Sequence, residues 1–122
     1  MNIAICDDVL PVAKKLYDLI FSCCAKRDWS FKGKVFSAPQ MLLAADLEDI
    51  QAVFLDIDMP QINGLEVARE LRQRYRELII VFVTQYPQYA PEGYCVNAFR
   101  YLLKSRIEEQ LEECMDALEE KL

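Results

Sequence analysis

Short apolar runs alternate with segments of helical period along the whole of this chain, and that alternation is the tightest constraint on its fold. "NIAIC", "WSFKGKVF", "AVFLD", "LIIVFVT" and "AFRYLL" read as five strands. After the first of them, Val12, Leu16, Leu19, Ile20 and Cys23 recur at helical spacing from Pro11 to about Lys26, and Pro11 is well tolerated in a first turn. "APQMLLAADL" reads as a short helix opened by a Ser37–Gln40 capping box. "GLEVARELRQRY" repeats the signature with Asn63 and Glu66, and its buried stripe is Leu65, Ala68, Leu71 and Tyr75. A last helix carries Ile107, Leu111, Cys114, Met115, Leu118 and Leu122 on one side. Such alternation implies parallel β-α-β units in one domain over residues 1–122, with helices on both faces of the sheet. "LIIVFVT" is apolar throughout, which predicts a central strand; Lys32 and Lys34 suit a sheet edge with one wetter side. The segment "QYPQYAPEGYCVN", residues 85–97, holds Pro87, Pro91 and Gly93, so a fourth helix there should be short or irregular. Its tyrosines, Tyr86, Tyr89 and Tyr94, are expected to pack as partly exposed rings.

Composition narrows the function. The chain is 53% hydrophobic and 28% charged, which fits a globular protein. Its net charge is −6, and acidic residues crowd the terminal "IEEQLEECMDALEEKL", a surface that repels phosphate backbones. No nucleic acid is therefore expected to bind this chain itself. No apolar run approaches the ~20 residues that span a bilayer, and the Asp7–Asp8 pair comes too early for a signal peptide. Five cysteines lack metal-ligand spacing and there is no histidine, so buried reduced thiols and a cytoplasmic location are expected. Histidine-based triads and histidine metal sites are excluded.

The chemistry gathers at strand ends. In open α/β sheets, ligands collect beyond the carboxyl ends of the strands. Here the first strand ends at Asp7 and Asp8, the third at Asp56 and the fourth at Thr84, while the fifth runs into Lys104. With the first and third strands adjacent, the three carboxylates converge. At an effective dielectric of ~20, two unit charges ~4 Å apart repel by about 4 kcal/mol, so positive charge must compensate. Lys104 supplies one unit and a divalent metal two; hard oxygen donors favour Mg²⁺ or Mn²⁺ over zinc. A carboxylate so placed can attack phosphorus and form an acyl phosphate. Asp56 is the candidate nucleophile, Lys104 its partner, and the Thr84 hydroxyl a donor to a phosphoryl oxygen.

At these residues the chain resembles the receiver domain of two-component response regulators. The pieces are "AICDDV", "FLDIDMPQINGLEVARELR", "VFVT" and "AFRYLLK", in the family's order. "DIDMP" and "YCVNAFRYLLK" look most like the receivers that precede LytTR-type DNA-binding domains. The resemblance implies a flavodoxin-like (CheY-like) doubly wound sheet in the order 2-1-3-4-5. It further implies that Asp56 takes a phosphoryl group from a phosphohistidine on a sensor histidine kinase. By position, Asp8, Asp56 and the backbone carbonyl of Asp58 would hold Mg²⁺, with Asp7 assisting. Thr84 and Tyr101 match the family's switch pair, which reshapes a face made by the fourth helix, fifth strand and last helix, a surface through which a homodimer would form. Such a domain catalyses only its own phosphorylation and dephosphorylation. The resemblance also implies a DNA-binding domain after the last helix, so the chain is read as a receiver excised from a longer protein, with a stand-alone receiver as the alternative.

Two positions depart from the pattern. Ser105 stands where the family has proline after its lysine; a cis bond before a non-proline residue costs ~3 kcal/mol, so a trans bond and a redrawn Lys104 loop are expected. Gln85, bulkier than the small residues usual there, is expected to narrow access to Asp56, and Tyr86 to shield an acyl phosphate from water. These departures keep open a receiver-like interaction module that does not depend on phosphate. A haloacid-dehalogenase-like phosphatase shares the Asp-x-Asp of "FLDIDM", but carries it on its first strand and needs further acidic ligands downstream, where this chain has no strand-end pair of aspartates. One glycine, Gly64, is expected simply to serve the turn into its helix.

Overall fold

The computed structural model describes residues 1–60, 62–86 and 96–122. Its strands are β1 (Asn2–Cys6), β2 (Lys32–Phe36), β3 (Ala52–Asp56), β4 (Ile79–Thr84) and β5 (Arg100–Leu103). All pair in parallel, in the order β2-β1-β3-β4-β5. The helices are α1 (Leu10–Lys26), α2 (Pro39–Ala44), α3 (Gly64–Arg74) and α4 (Ile107–Lys121). The irregular helix expected in 85–97 lies, between residues 87 and 95, outside the described residues, as do Tyr89, Tyr94 and Cys95.

Period-two alternation divides the sheet into two cores. Ile3, Ile5, Phe54, Val81 and Val83 face α1 and α4, whereas Ala4, Val53, Leu55, Ile80 and Phe82 face α2 and α3. Every residue of β3 and β4 is buried, as a strand covered on both faces requires. Cys6, Cys23, Cys24 and Cys114 are buried free thiols.

Helix ends follow local chemistry, with one correction. Asn63 Oδ1 accepts the Glu66 N–H at 3.1 Å, so the cap of α3 forms as the sequence predicts. The Ser37–Gln40 box does not. A residue before proline is pushed out of the helical region, so Ala38 stays extended (φ −146°, ψ 142°) and α2 begins at Pro39 with no side-chain cap. The second strand is also shorter than the alternation of Trp29 and Phe31 suggests. Residues 27–29 are still closing α1, with Asp28 left-handed (φ 56°) and the Trp29 N–H donating to Cys24 O at 2.9 Å. At the far end, the buried stripe of α4 stops at Leu118 and leaves Leu122 exposed.

Arg72 ties the frame together. Its guanidinium donates to the carbonyls of Tyr75, Arg76 and Leu78 at the end of α3 and start of β4, and to those of Val96 and Asn97 before β5. An Arg72→Ala variant strips charged donors from five backbone acceptors and is expected to lose about 2 kcal/mol of stability, measured by urea unfolding.

Candidate functional site

The rim formed by the carboxyl ends of the strands brings four of the sequence-predicted residues, Asp7, Asp8, Asp56 and Lys104, together. One oxygen each of Asp7, Asp8 and Asp56 falls in a cluster whose members all lie within 4.8 Å of one another. Lys104 Nζ reaches into it, 3.1 Å from Asp7 Oδ2 and 3.4 Å from Asp56 Oδ2. Asp7 and Asp56 are buried at 3% and 2% exposure, so this ion pair is largely screened from water. The convergence follows from topology: β1 pairs directly with β3, and the strand order reverses between them.

Local geometry fixes each carboxylate. Asp7 Oδ1 accepts the Val9 N–H at 2.9 Å, so it shapes the turn into α1 while its other oxygen meets Lys104. Asp56 Oδ1 accepts the Asp58 N–H at 3.2 Å. The Lys104–Ser105 peptide is trans, and the redrawn loop is a single 3-10 turn, Lys104–Arg106, running straight into α4. Gln110 Oε1 secures its start by accepting the Leu103 N–H at 2.7 Å. Serine in place of proline therefore leaves the lysine within ion-pair reach of both carboxylates.

The electrostatics are those of a site short of positive charge. Burial, reinforced by Asp7, pushes Asp56 up to about 6, against the opposing pull of Lys104 and the Asp58 N–H. Burial works against the Lys104 ammonium, yet Asp56 and Asp7 outweigh it and hold its pKa above the ordinary lysine value. Cys6 lies close by, but burial and the three aspartates push its thiol up to about 12, and its Sγ donates to Met59 Sδ at 3.8 Å. It offers no thiolate. With no histidine in the chain, the donors are hard oxygens only, and this set fits Mg²⁺ or Mn²⁺.

Thr84 and Tyr101 are joined through Tyr86. Fully buried Thr84 accepts the Tyr86 N–H on Oγ1 at 3.3 Å, and the Tyr101 hydroxyl donates to Tyr86 O at 2.6 Å. The Tyr101 ring packs on Phe82 at 6.1 Å between centroids. Gln85 lines a groove of about 320 Å³ with Pro11, Lys15, Leu19, Lys104 and Ile107.

One residue at the site escaped the sequence reading. A Cβ on Gly64 would collide with the Asp56 carbonyl oxygen and come within 2.8–2.9 Å of Ile57 Cα and Asp56 C. The Gly64 N–H donates to Ile57 O at 2.8 Å. The start of α3 thus rests directly on the backbone of Asp56. The available signal was the placement of one of only three glycines at a helix start, where glycine has poor propensity.

Comparison with known proteins gives a consistent result. Residues 3–116 match the family model of the response regulator receiver domain. The chain is 31% identical over 121 residues to the transcriptional regulatory protein BtsR of Salmonella typhi, covering 99% of this chain and 49% of that protein. It is 39% identical over 72 residues to the sensory transduction protein LytT of Oceanobacillus iheyensis, covering 57% of this chain and 29% of that one. The chain thus spans about half or less of the length of these relatives. Among solved structures it is similar to the response regulator TrrA of Thermotoga maritima in complex with Mg²⁺-BeF, with TM-score 0.81, 25% identity, and coverage of 96% and 97% of the two chains.

Proposed function

This chain belongs to the response regulator receiver domain family, and from that premise we propose that Asp56 is its phosphoacceptor, charged by the phosphohistidine of a sensor histidine kinase. The observation that carries the reading is the Lys104 ammonium 3.1 and 3.4 Å from Asp7 and Asp56, inside a cluster of carboxylate oxygens. Asp8, Asp56 and the Asp58 backbone carbonyl would hold Mg²⁺ or Mn²⁺, with Asp7 assisting. When bound, such a cation supplies positive charge against the phosphoryl oxygens.

The remaining work falls to the chain's own side chains. An Asp56 oxygen attacks phosphorus as the phosphorus–nitrogen bond breaks. The electron pair leaves with the imidazole, and an acyl phosphate remains on Asp56. Lys104 keeps the carboxylate ionised and balances the added charge. Thr84 gives up the Tyr86 N–H to bond a phosphoryl oxygen, and because Tyr101 holds the carbonyl of the same Tyr86, the two shift together. The output surface is the face that includes β5 and α4, through which a homodimer would form. The domain acts catalytically only on its own phosphorylation state, in the cytoplasm, and serves a transcriptional output, as the name of its relative, the transcriptional regulatory protein BtsR, suggests.

Two other readings lose their footing. A phosphate-independent module drew its motive from Ser105 and Gln85, and the first of these loses its force because Lys104 reaches both carboxylates regardless. A haloacid-dehalogenase-like phosphatase is at odds with the matching family and with a nucleophile on the third strand in sequence, β3. Titration with beryllofluoride, followed by amide NMR, tests the proposal. The parent is expected to bind it only in the presence of Mg²⁺, and Asp56→Ala not at all; equal binding by both proteins would refute the assignment.

A further inference from the structure

A second surface, independent of the phosphoacceptor reading, runs along β2. This strand is at the sheet edge, paired on one side with β1. The Lys32 N–H donates to Met1 O at 2.9 Å and Phe36 O accepts the Asp7 N–H at 3.2 Å, so even-numbered positions bond inward. By strand alternation, the N–H and C=O groups of Gly33 and Val35 point outward, away from the sheet.

The two sides of this edge differ in chemistry. Toward α1 lies an apolar strip. Leu10 (58% exposed), Tyr17 and Val35 (38% exposed) share a groove with the stem of Lys14. The strip continues through Phe31, whose ring is 5.1 Å from Tyr17 and 6.3 Å from Phe21, itself 56% exposed. Toward α2 the edge carries Lys32 and Lys34, both exposed, with Lys34 Nζ 5.5 Å above the Phe36 ring. In a chain of net charge −6 this is a local reversal of sign.

We propose that the β2 edge takes up an extended segment of a partner protein in which apolar and acidic residues alternate. Hydrogen bonds to Gly33 and Val35 would add it as a sixth strand. The period-two pleat then turns its apolar side chains onto Leu10, Tyr17 and Val35, and its carboxylates onto Lys32 and Lys34. The same charges argue against a second copy of this chain. An antiparallel two-fold pairing centred on Gly33 sets Lys32 opposite Lys34 on both sides, and like charges directly opposite are destabilising.

The test uses two capped hexapeptides, one alternating valine with glutamate and the other valine with lysine, titrated into the isotope-labelled chain. The glutamate peptide is expected to shift the Gly33 and Val35 amides and slow their exchange, and to bind about tenfold or more tightly than the lysine peptide at low salt. A Lys32→Glu/Lys34→Glu variant, checked for fold by its amide spectrum, should reverse that preference. If neither peptide perturbs Gly33 and Val35, the lysines only guard an edge and the proposal is wrong. It is equally overturned by indifference to peptide charge, by shifts confined to another face, or by sedimentation showing the chain alone pairing through Gly33.

Discussion

An Asp56→Asn variant is expected to take no phosphoryl label and yet to be more stable than the parent, by up to about 3 kcal/mol at pH 7 in metal-free buffer. The gain follows from the environment of the carboxylate. Burial and Asp7 raise Asp56 from 3.8 to about 6 in the folded chain, a change of about two units at ~1.4 kcal/mol each. A carboxyl whose pKa is raised by folding binds its proton more tightly in the native state. The parent therefore loses stability as pH rises from about 4 to about 6, and the loss persists above that window. The amide keeps nearly the same shape without a charge to bury, and Lys104 retains Asp7 at 3.1 Å. Urea unfolding of both proteins between pH 4 and 7 reads the difference directly: the parent's stability should slope downward and the variant's gain should grow with pH. Mg²⁺ should then raise the parent more than the variant, because only the parent keeps the full donor set. A gain already complete at pH 4 would show that the stabilisation has another source.

Gly64→Ala is expected to be the most damaging small substitution at the site, costing about 3 kcal/mol or more and weakening Mg²⁺ binding at the same time. The added methyl meets the backbone of Asp56 and Ile57, and backbone at the end of a central strand cannot swing aside. Either α3 lifts off the sheet or the end of β3 moves, and Asp56 moves with it. Gly33→Ala provides the contrast. There the new Cβ meets the outer ring atoms of Tyr17 and Phe31, half-buried side chains at the sheet edge rather than backbone, so a cost of about 1 kcal/mol is expected with no effect on Mg²⁺. Unfolding midpoints and Mg²⁺ titrations of the two variants separate crowding at the site from crowding in general.

The fold was legible because its signals were periodic. "AVFLD" and "LIIVFVT" read as strands, the second as a covered one, and both fold as strands buried throughout; Asn63 with Glu66 marks a helix start that the backbone reproduces. The strand-end residues followed from the same periodicity, since parallel pairing brings Asp7, Asp56 and Lys104 to one rim. Local rules failed where a neighbour overrode them. Ser37 looked like a cap until Pro39 pushed Ala38 out of the helix, and Trp29 looked like a strand residue although the cap of α1 claims it. Gly64 shows a different blindness. Its role depends on contact with Ile57 and Asp56, seven and eight residues earlier, and a turn signal says nothing of what lies beneath the turn. The alternating chemistry of the β2 edge was half visible, because the lysines suggested an edge but not the apolar strip that Phe31 and α1 lay along it.

The most direct test of the central claim is mass mapping of the protein after incubation with acetyl phosphate and Mg²⁺. One added phosphoryl group, labile to hydroxylamine and located on Asp56, is the predicted result, with no adduct on the Asp56→Asn chain. A phosphoryl group on Asp7, Asp8 or Asp58 instead, or none at all on a folded, Mg²⁺-loaded parent, would contradict the account.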